Sequence, residues 1–303
     1  MEKKSITSQY REFAEKNTRG KGFTLTELLV VMGIVLALTA ITLPMLGEVK
    51  RRAKLILGIN NQRQTVSTSN LFAIDNHDKY PESVATIGFG GRWHWKEPTM
   101  LTGYMKRSPG LHRSMSAYLR SYIPDASIMF CPNAPHKYKY LQEAWDAGDY
   151  WDNPDTPPVP DPVFGTYCFY WNYTGFLDGR PKPFRGPWGP SSGGSYSKLL
   201  VSDYFGYDHW RRRQAYGSCE RFKGADVTEG TAASSAYWSR PGLGDNSDRR
   251  TLQITLHAGY TDGHVDSYSP SDVVPMLVSL TPDGTVPNTI GPGVFYLPRA
   301  ALR

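Results

Sequence analysis

No charged residue occurs between Leu28 and Leu46, and this run constrains the chain more than any other feature in it. As a helix it is long enough to cross a bilayer core of roughly 30 Å, so the chain is read as membrane-spanning near its N-terminus. Glu27 stands at the edge of the run. A charge at the centre of such a span costs about 2.5–3.5 kcal/mol, and less near an interface, so this carboxylate calls for a partner.

The flanks bear on orientation. Residues 1–22 carry Lys3, Lys4, Arg11, Lys16, Arg19 and Lys21 against Glu2, Glu12 and Glu15. That positive balance predicts a cytoplasmic leader, although Lys50, Arg51, Arg52 and Lys54 on the far side narrow the margin. A secretory signal would place a small-residue cleavage site after its apolar region. Ala37 and Thr39 imitate one poorly, inside a run that then continues, whereas Gly22 precedes the run.

The segment from Gly22, Gly-Phe-Thr-Leu-Thr-Glu-Leu-Leu-Val-Val, resembles the type IV prepilin signal. The resemblance implies that a prepilin peptidase cuts between Gly22 and Phe23 and methylates the new N-terminal Phe23. Glu27 then becomes the fifth mature residue and Pro44 the twenty-second, both at the family's spacing. It further implies that Glu27 neutralises the Phe23 amine of a neighbouring subunit during filament assembly. A plain signal anchor is the bland alternative. Two charges in a low-dielectric setting must pair, and one register satisfies both, so the carboxylate would set axial stagger more than it adds stability.

Pro44 removes a backbone donor and crowds the Ala40 carbonyl, which predicts a kink or loosening there, and Gly33 and Gly47 make unwinding cheaper. Beyond it, Val49, Ala53, Ile56, Val66 and Ala73 trace an intermittent apolar stripe, interrupted by the polar stretch 62–70, until residues 75–81 end the pattern. We expect one helix of about fifty residues, half in the membrane and half lying on a globular domain. Residues 1–22 are thus a leader, 23–46 the membrane and filament-core helix, 47–80 its extracytoplasmic half, and 81–303 the globular domain.

Removing the leader lowers the net charge from +6 to +3, which is no nucleic-acid signature. The 29 Gly and 23 Pro, with abundant Tyr and Trp, favour short strands and many turns. Strands are expected at 127–131, 166–173, 198–203, 252–261 and 264–268, helices at 108–122 and 138–147, and surface loops at 153–162, 179–194 and 281–293. The fold class is α+β: a long N-terminal helix packed on a small antiparallel sheet with extended loops, pilin-like by the resemblance. Three cysteines in an oxidising space allow one disulfide, for which Cys131 and Cys168, both in strand-like segments, are the preferred pair.

Residues 254–268 gather His257, Asp262, His264 and Asp266. His264 and Asp266 share one face of a strand and with Asp262 are candidate metal ligands, and a structural Ca²⁺ at an oxygen-rich turn is allowed. Asp262-Gly263 between two strand-like runs is first of all a hairpin signal. Tyr-Thr-Asp-Gly-His-Val at 260–265 is also similar to the Asp-Gly-His-Val ending of a large family of bacterial pseudopilin-like proteins, and 129–133 and 167–175 are close to other segments of that family. The spacing from His257 to Asp-Gly departs from that signature, so any role for His257 stays open. The other polar cluster, from Asp203 to His209, reads as a solvated loop. With no Gly-rich phosphate loop, no Gly-x-Ser-x-Gly elbow and no His pair at helical spacing, an enzyme is not expected.

The reading is a type II secretion pseudopilin in the bacterial inner membrane, its N-terminus cytoplasmic and its C-terminal domain extracytoplasmic. Its implied partners are the prepilin peptidase, other pilin-like subunits and an inner-membrane assembly platform, with no cofactor. The rival is a membrane-anchored glycan-binding or metal-dependent protein that uses the same export signal.

Overall fold

A computed structural model describes residues 22–89, 93–102, 113–133, 138–155, 163–177, 183–207, 215–217, 255–277, 279–280 and 294–302. The chain divides into two compact units, Met1–Arg51 and Arg52–Arg303, so the boundary falls inside a helix. That helix, Leu25–Asp75, is 51 residues long and runs unbroken through Pro44.

Every residue from 22 to 50 is exposed, although most are apolar. The second part of the helix behaves in the opposite way. Its buried positions are Gly58, Gln62, Thr65, Val66, Thr68, Ser69 and Ala73, whereas Ile56 is exposed and Val49, in the first unit, is too. The stripe expected from Val49, Ala53 and Ile56 is therefore not the buried face. Small side chains let the sheet approach closely, and their polar atoms are satisfied locally. Thr65 Oγ1 donates to the Asn61 carbonyl (2.9 Å) and Ser69 Oγ to that of Thr65 (2.9 Å).

This helix segment lies on a four-stranded sheet in the order Val265–Tyr268, Leu256–Tyr260, Leu199–Asp203, Tyr167–Phe169, all antiparallel. A Cβ built on Gly259 would stand 3.0 Å from a Val66 methyl, so glycine there permits the helix to seat. Asn70 Nδ2 donates to the Thr261 carbonyl (2.9 Å) and Tyr167 OH to that of Gly58 (3.2 Å). Among the described residues a six-stranded sheet is also formed, in the order Ala215–Gly217, Phe205–Tyr207, Val294–Pro298, Val273–Leu277, Thr174–Leu177, Phe184–Arg185. One buried cluster joins the helix to Leu101, Met129, Trp145, Trp171 and Val201. The other gathers Tyr170, Tyr173, Phe184, Tyr204, Met276 and Phe295.

Several expectations shift. The strand expected at 127–131 is instead a 3₁₀ turn, Ala126–Met129, because the Asp125 side chain caps it through the Ser127 N–H (2.8 Å). The strand at 166–173 shortens to Tyr167–Phe169, after which Asn172 at φ 50° turns the chain. The expected loop 179–194 contains Phe184–Arg185, paired with Thr174–Gly175. The helix at 108–122 is reduced to Ser116–Leu119, with 103–112 outside the described residues, while Leu141–Ala147 forms. Val273–Leu277 is a strand not among those expected, and it carries Pro275, a residue that usually argues against an inner strand. Pro275 sits opposite Tyr296, and among the described residues the strand on the other flank pairs with Met276 and Leu277.

The Cys131–Cys168 disulfide is not formed. Cys168 is a free, buried thiol, and Cys131 is disulfide-bonded. Cys168 points into the second cluster and Cys131 lies in the first, so the two thiols belong to different cores. The third cysteine, Cys219, lies outside the described residues.

Candidate functional site

Two polar constellations and one terminal segment carry the candidate chemistry. The first joins residues that the sequence places far apart. Asp203 ends one strand of the four-stranded sheet and His257 lies on its antiparallel neighbour, where the pairing of Ala258 with Ser202 sets them side by side. Asp203 Oδ2 accepts the His257 backbone N–H (2.9 Å) and lies 2.6 Å from His257 Nδ1. From the helix, Gln62 Nε2 donates to Asp203 Oδ1 (2.8 Å) and to the His257 carbonyl (3.3 Å). All three residues are buried. A carboxylate at such depth is tolerable only when its lone pairs are met by donors, and the helix and sheet supply them jointly. Asp203 is therefore no solvated loop residue; its expected neighbour His209 lies outside the described residues. The arrangement clamps helix to sheet, and the carboxylate fixes the imidazole ring.

The hairpin forms where Asp262-Gly263 predicts it, with Gly263 at φ 93° and Tyr260 N donating to the His264 carbonyl (3.0 Å). Asp262, His264 and Asp266 face outward. His264 Nδ1 pairs with Asp262 Oδ1 and its Nε2 lies 3.6 Å from Asp266 Oδ2. The ring stacks on Tyr260 at 4.5 Å and 11°. Burial acts against the ionised Asp262, yet the His264 backbone N–H, its ring and its charge together hold that carboxyl below its ordinary value. Each imidazole nitrogen is turned toward a carboxylate, which suits ion pairing rather than shared coordination. Among the described residues no group of three His, Cys, Asp or Glu side chains is placed to hold a metal.

The terminal segment is built differently. Gly22, Phe23 and Thr24 are exposed and outside regular secondary structure, and the helix starts at Leu25. Glu27 Oε2 accepts the Thr24 N–H (2.8 Å) and the Thr24 hydroxyl (2.9 Å), while the Glu27 N–H donates back to Thr24 Oγ1 (3.2 Å). This reciprocal capping box satisfies donors that a helix start otherwise leaves open. Beyond it the helix is long and apolar enough to cross a membrane. Thr39 and Thr42 turn their hydroxyls back onto the Val35 (2.8 Å) and Leu38 (3.1 Å) carbonyls, so neither presents an unmet polar group. Residues 17–43 match the prokaryotic N-terminal methylation motif.

The chain thus carries a prepilin-type signal. A signal of this kind is processed by a prepilin peptidase, assembles with pilin-type subunits and supports the pilin-like class, and with the apolar helix it means membrane anchoring. No curated protein and no solved structure matches the chain. Of the residues singled out in the sequence, Gly22, Phe23 and Glu27 fall within six positions at the helix start, and Pro44 lies within the same unit. Thr24 was missed. Its signal was present as Thr-x-x-Glu immediately before an apolar run, the sequence form of a capping box.

Proposed function

We propose that this chain is a pilin-like structural subunit, specifically a type II secretion pseudopilin, cut after Gly22 and N-methylated at Phe23. The match of residues 17–43 to the methylation motif carries the reading. The Gly22–Phe23 bond is exposed and lies outside regular secondary structure, where a protease can reach it, and the mostly apolar helix that follows is exposed from residue 25 to 50. Such a surface needs lipid or other helices around it.

In this reading the role of Glu27 follows from its neighbours. In the single chain its carboxylate is held by Thr24. Cleavage creates a cationic amine at Phe23, and in a low-dielectric filament core that amine on an adjacent subunit is the stronger partner. Exchange of the Thr24 contact for the neighbour's amine fixes the axial step. Pro44 deprives the Ala40 carbonyl of its donor and gives the helix a place to loosen when subunits pack. The domain's work is mechanical rather than catalytic, with the N-terminus cytoplasmic and the globular unit extracytoplasmic.

Mass spectrometry of the mature protein from its native host tests the processing step. The expected N-terminus is N-methylated Phe23; an intact Met1 would sink the proposal. Glu27→Ala should retain cleavage and lose assembly, as read by crosslinking of subunits in membranes.

A further inference from the structure

We propose that an open groove beside the C-terminal end of the long helix binds a neutral hexose-based oligosaccharide. The groove is lined by Lys79, Tyr80, Glu82, Ser83, Asn172 and Trp188. Among the described residues of the globular unit, Trp188 is one of a few large apolar side chains that are exposed. An exposed indole at the wall of a polar groove presents a flat apolar surface to the C–H face of a pyranose ring.

The polar atoms around it suit hydroxyl recognition. Both Asn172 amide hydrogens are spent on the Tyr80 (3.1 Å) and Pro81 (2.7 Å) carbonyls, which leaves Oδ1 as an acceptor in a fixed orientation. Lys79 contributes an exposed ammonium and Ser83 a hydroxyl, and Glu82 is paired with Arg113. One cation and one carboxylate on the same groove give no bias toward a polyanion, so a neutral glycan fits better than an acidic one. An extended peptide fits less well. None of the lining residues lies in a strand, so the groove provides no sheet edge for peptide backbone to extend.

The groove is also preorganised. Asn172 (φ 50°) lines it, and His77 (φ 57°) and Asp78 (φ 63°) immediately precede its Lys79; these are the described non-glycine residues with left-handed backbone. A Cβ on Gly189 would overlap the Asp78 carbonyl oxygen, and Tyr80 N donates to the Trp188 carbonyl (2.8 Å). Loops locked against each other in strained conformations lose little freedom on binding.

The full chain in a detergent without sugar headgroups would be titrated calorimetrically with cellotetraose, chitotetraose and a Gly/Ser tetrapeptide. Binding of at least one tetrasaccharide is expected. Trp188→Ala should weaken it at least about tenfold and Trp188→Phe much less, with Lys79→Ala as a surface variant that leaves the fold intact and also weakens binding. If Trp188→Ala fails to fold, the Phe and Lys79 variants decide. The proposal is overturned if neither saccharide binds, if binding ignores all folded variants, or if the tetrapeptide binds equally well.

Discussion

The two parts of the long helix obey opposite rules. Residues 25–50 are mostly apolar and exposed, whereas the buried face of 52–75 is built from Gly58, Gln62, Thr65, Thr68 and Ser69 around Val66 and Ala73. Hydrophobicity therefore does not mark where this helix meets its own domain. In the second part, small volume and hydrogen bonds from Gln62 Nε2 and Asn70 Nδ2 to the sheet determine contact. The first part is exposed along its length and has the composition of a surface suited to lipid or neighbouring helices.

The sharpest way to break this contrast is to remove Asp203. Asp203→Ala strips a buried carboxylate from Gln62 and His257 and should cost about 3–5 kcal/mol in urea unfolding of the globular unit. Glu27→Ala should leave that transition unmoved. Gln62→Met keeps volume but loses a charge-assisted hydrogen bond, for an expected loss of about 1.5–3 kcal/mol. A double-mutant cycle with Asp203→Ala should show strong coupling, and additive losses would contradict the clamp. Gly58→Ala runs the other way. Its new methyl would meet Cys131 Sγ at 3.4 Å and Tyr167 OH at 3.5 Å, ordinary contacts, so the domain should gain about 0.5–1 kcal/mol of helix propensity. Gly33→Ala, with open space around it, should not shift the domain's unfolding.

The smallest effect concerns pH. The Asp262 carboxyl is held low in the folded chain, so its contribution is complete above the ordinary aspartate value of 3.8 and fades as pH falls through the lower folded value. Asp262→Asn should flatten that part of the acid limb in a pH series of thermal melts, by only a fraction of a kcal/mol at so exposed a site.

Much of the terminal segment was legible because its signal is local. Glycine, phenylalanine, glutamate and proline stand at fixed spacings, and an uncharged run needs no tertiary context. The 262–263 hairpin was legible for the same reason: Asp-Gly states its own backbone preference. Where the fold rests on distant pairing, the sequence was silent. Asp203 and His257 are 54 positions apart and Gln62 is farther still, and no periodicity announces that a glutamine on a polar helix stretch will cap them. The disulfide preference failed likewise. Strand-like surroundings for both thiols say nothing about which core each one enters.

Cys168 turns this burial into a clock. Enclosure far from water pushes its thiol well up, only partly opposed by the Tyr170 hydroxyl, and the Glu97 and Asp203 carboxylates add to the rise. The folded chain therefore displays almost no thiolate to an alkylating reagent. Labelling of this sulfur proceeds only through moments when the sheet opens, so its rate counts those openings. A native residue thereby reports how often the domain comes apart while its helix remains in the bilayer.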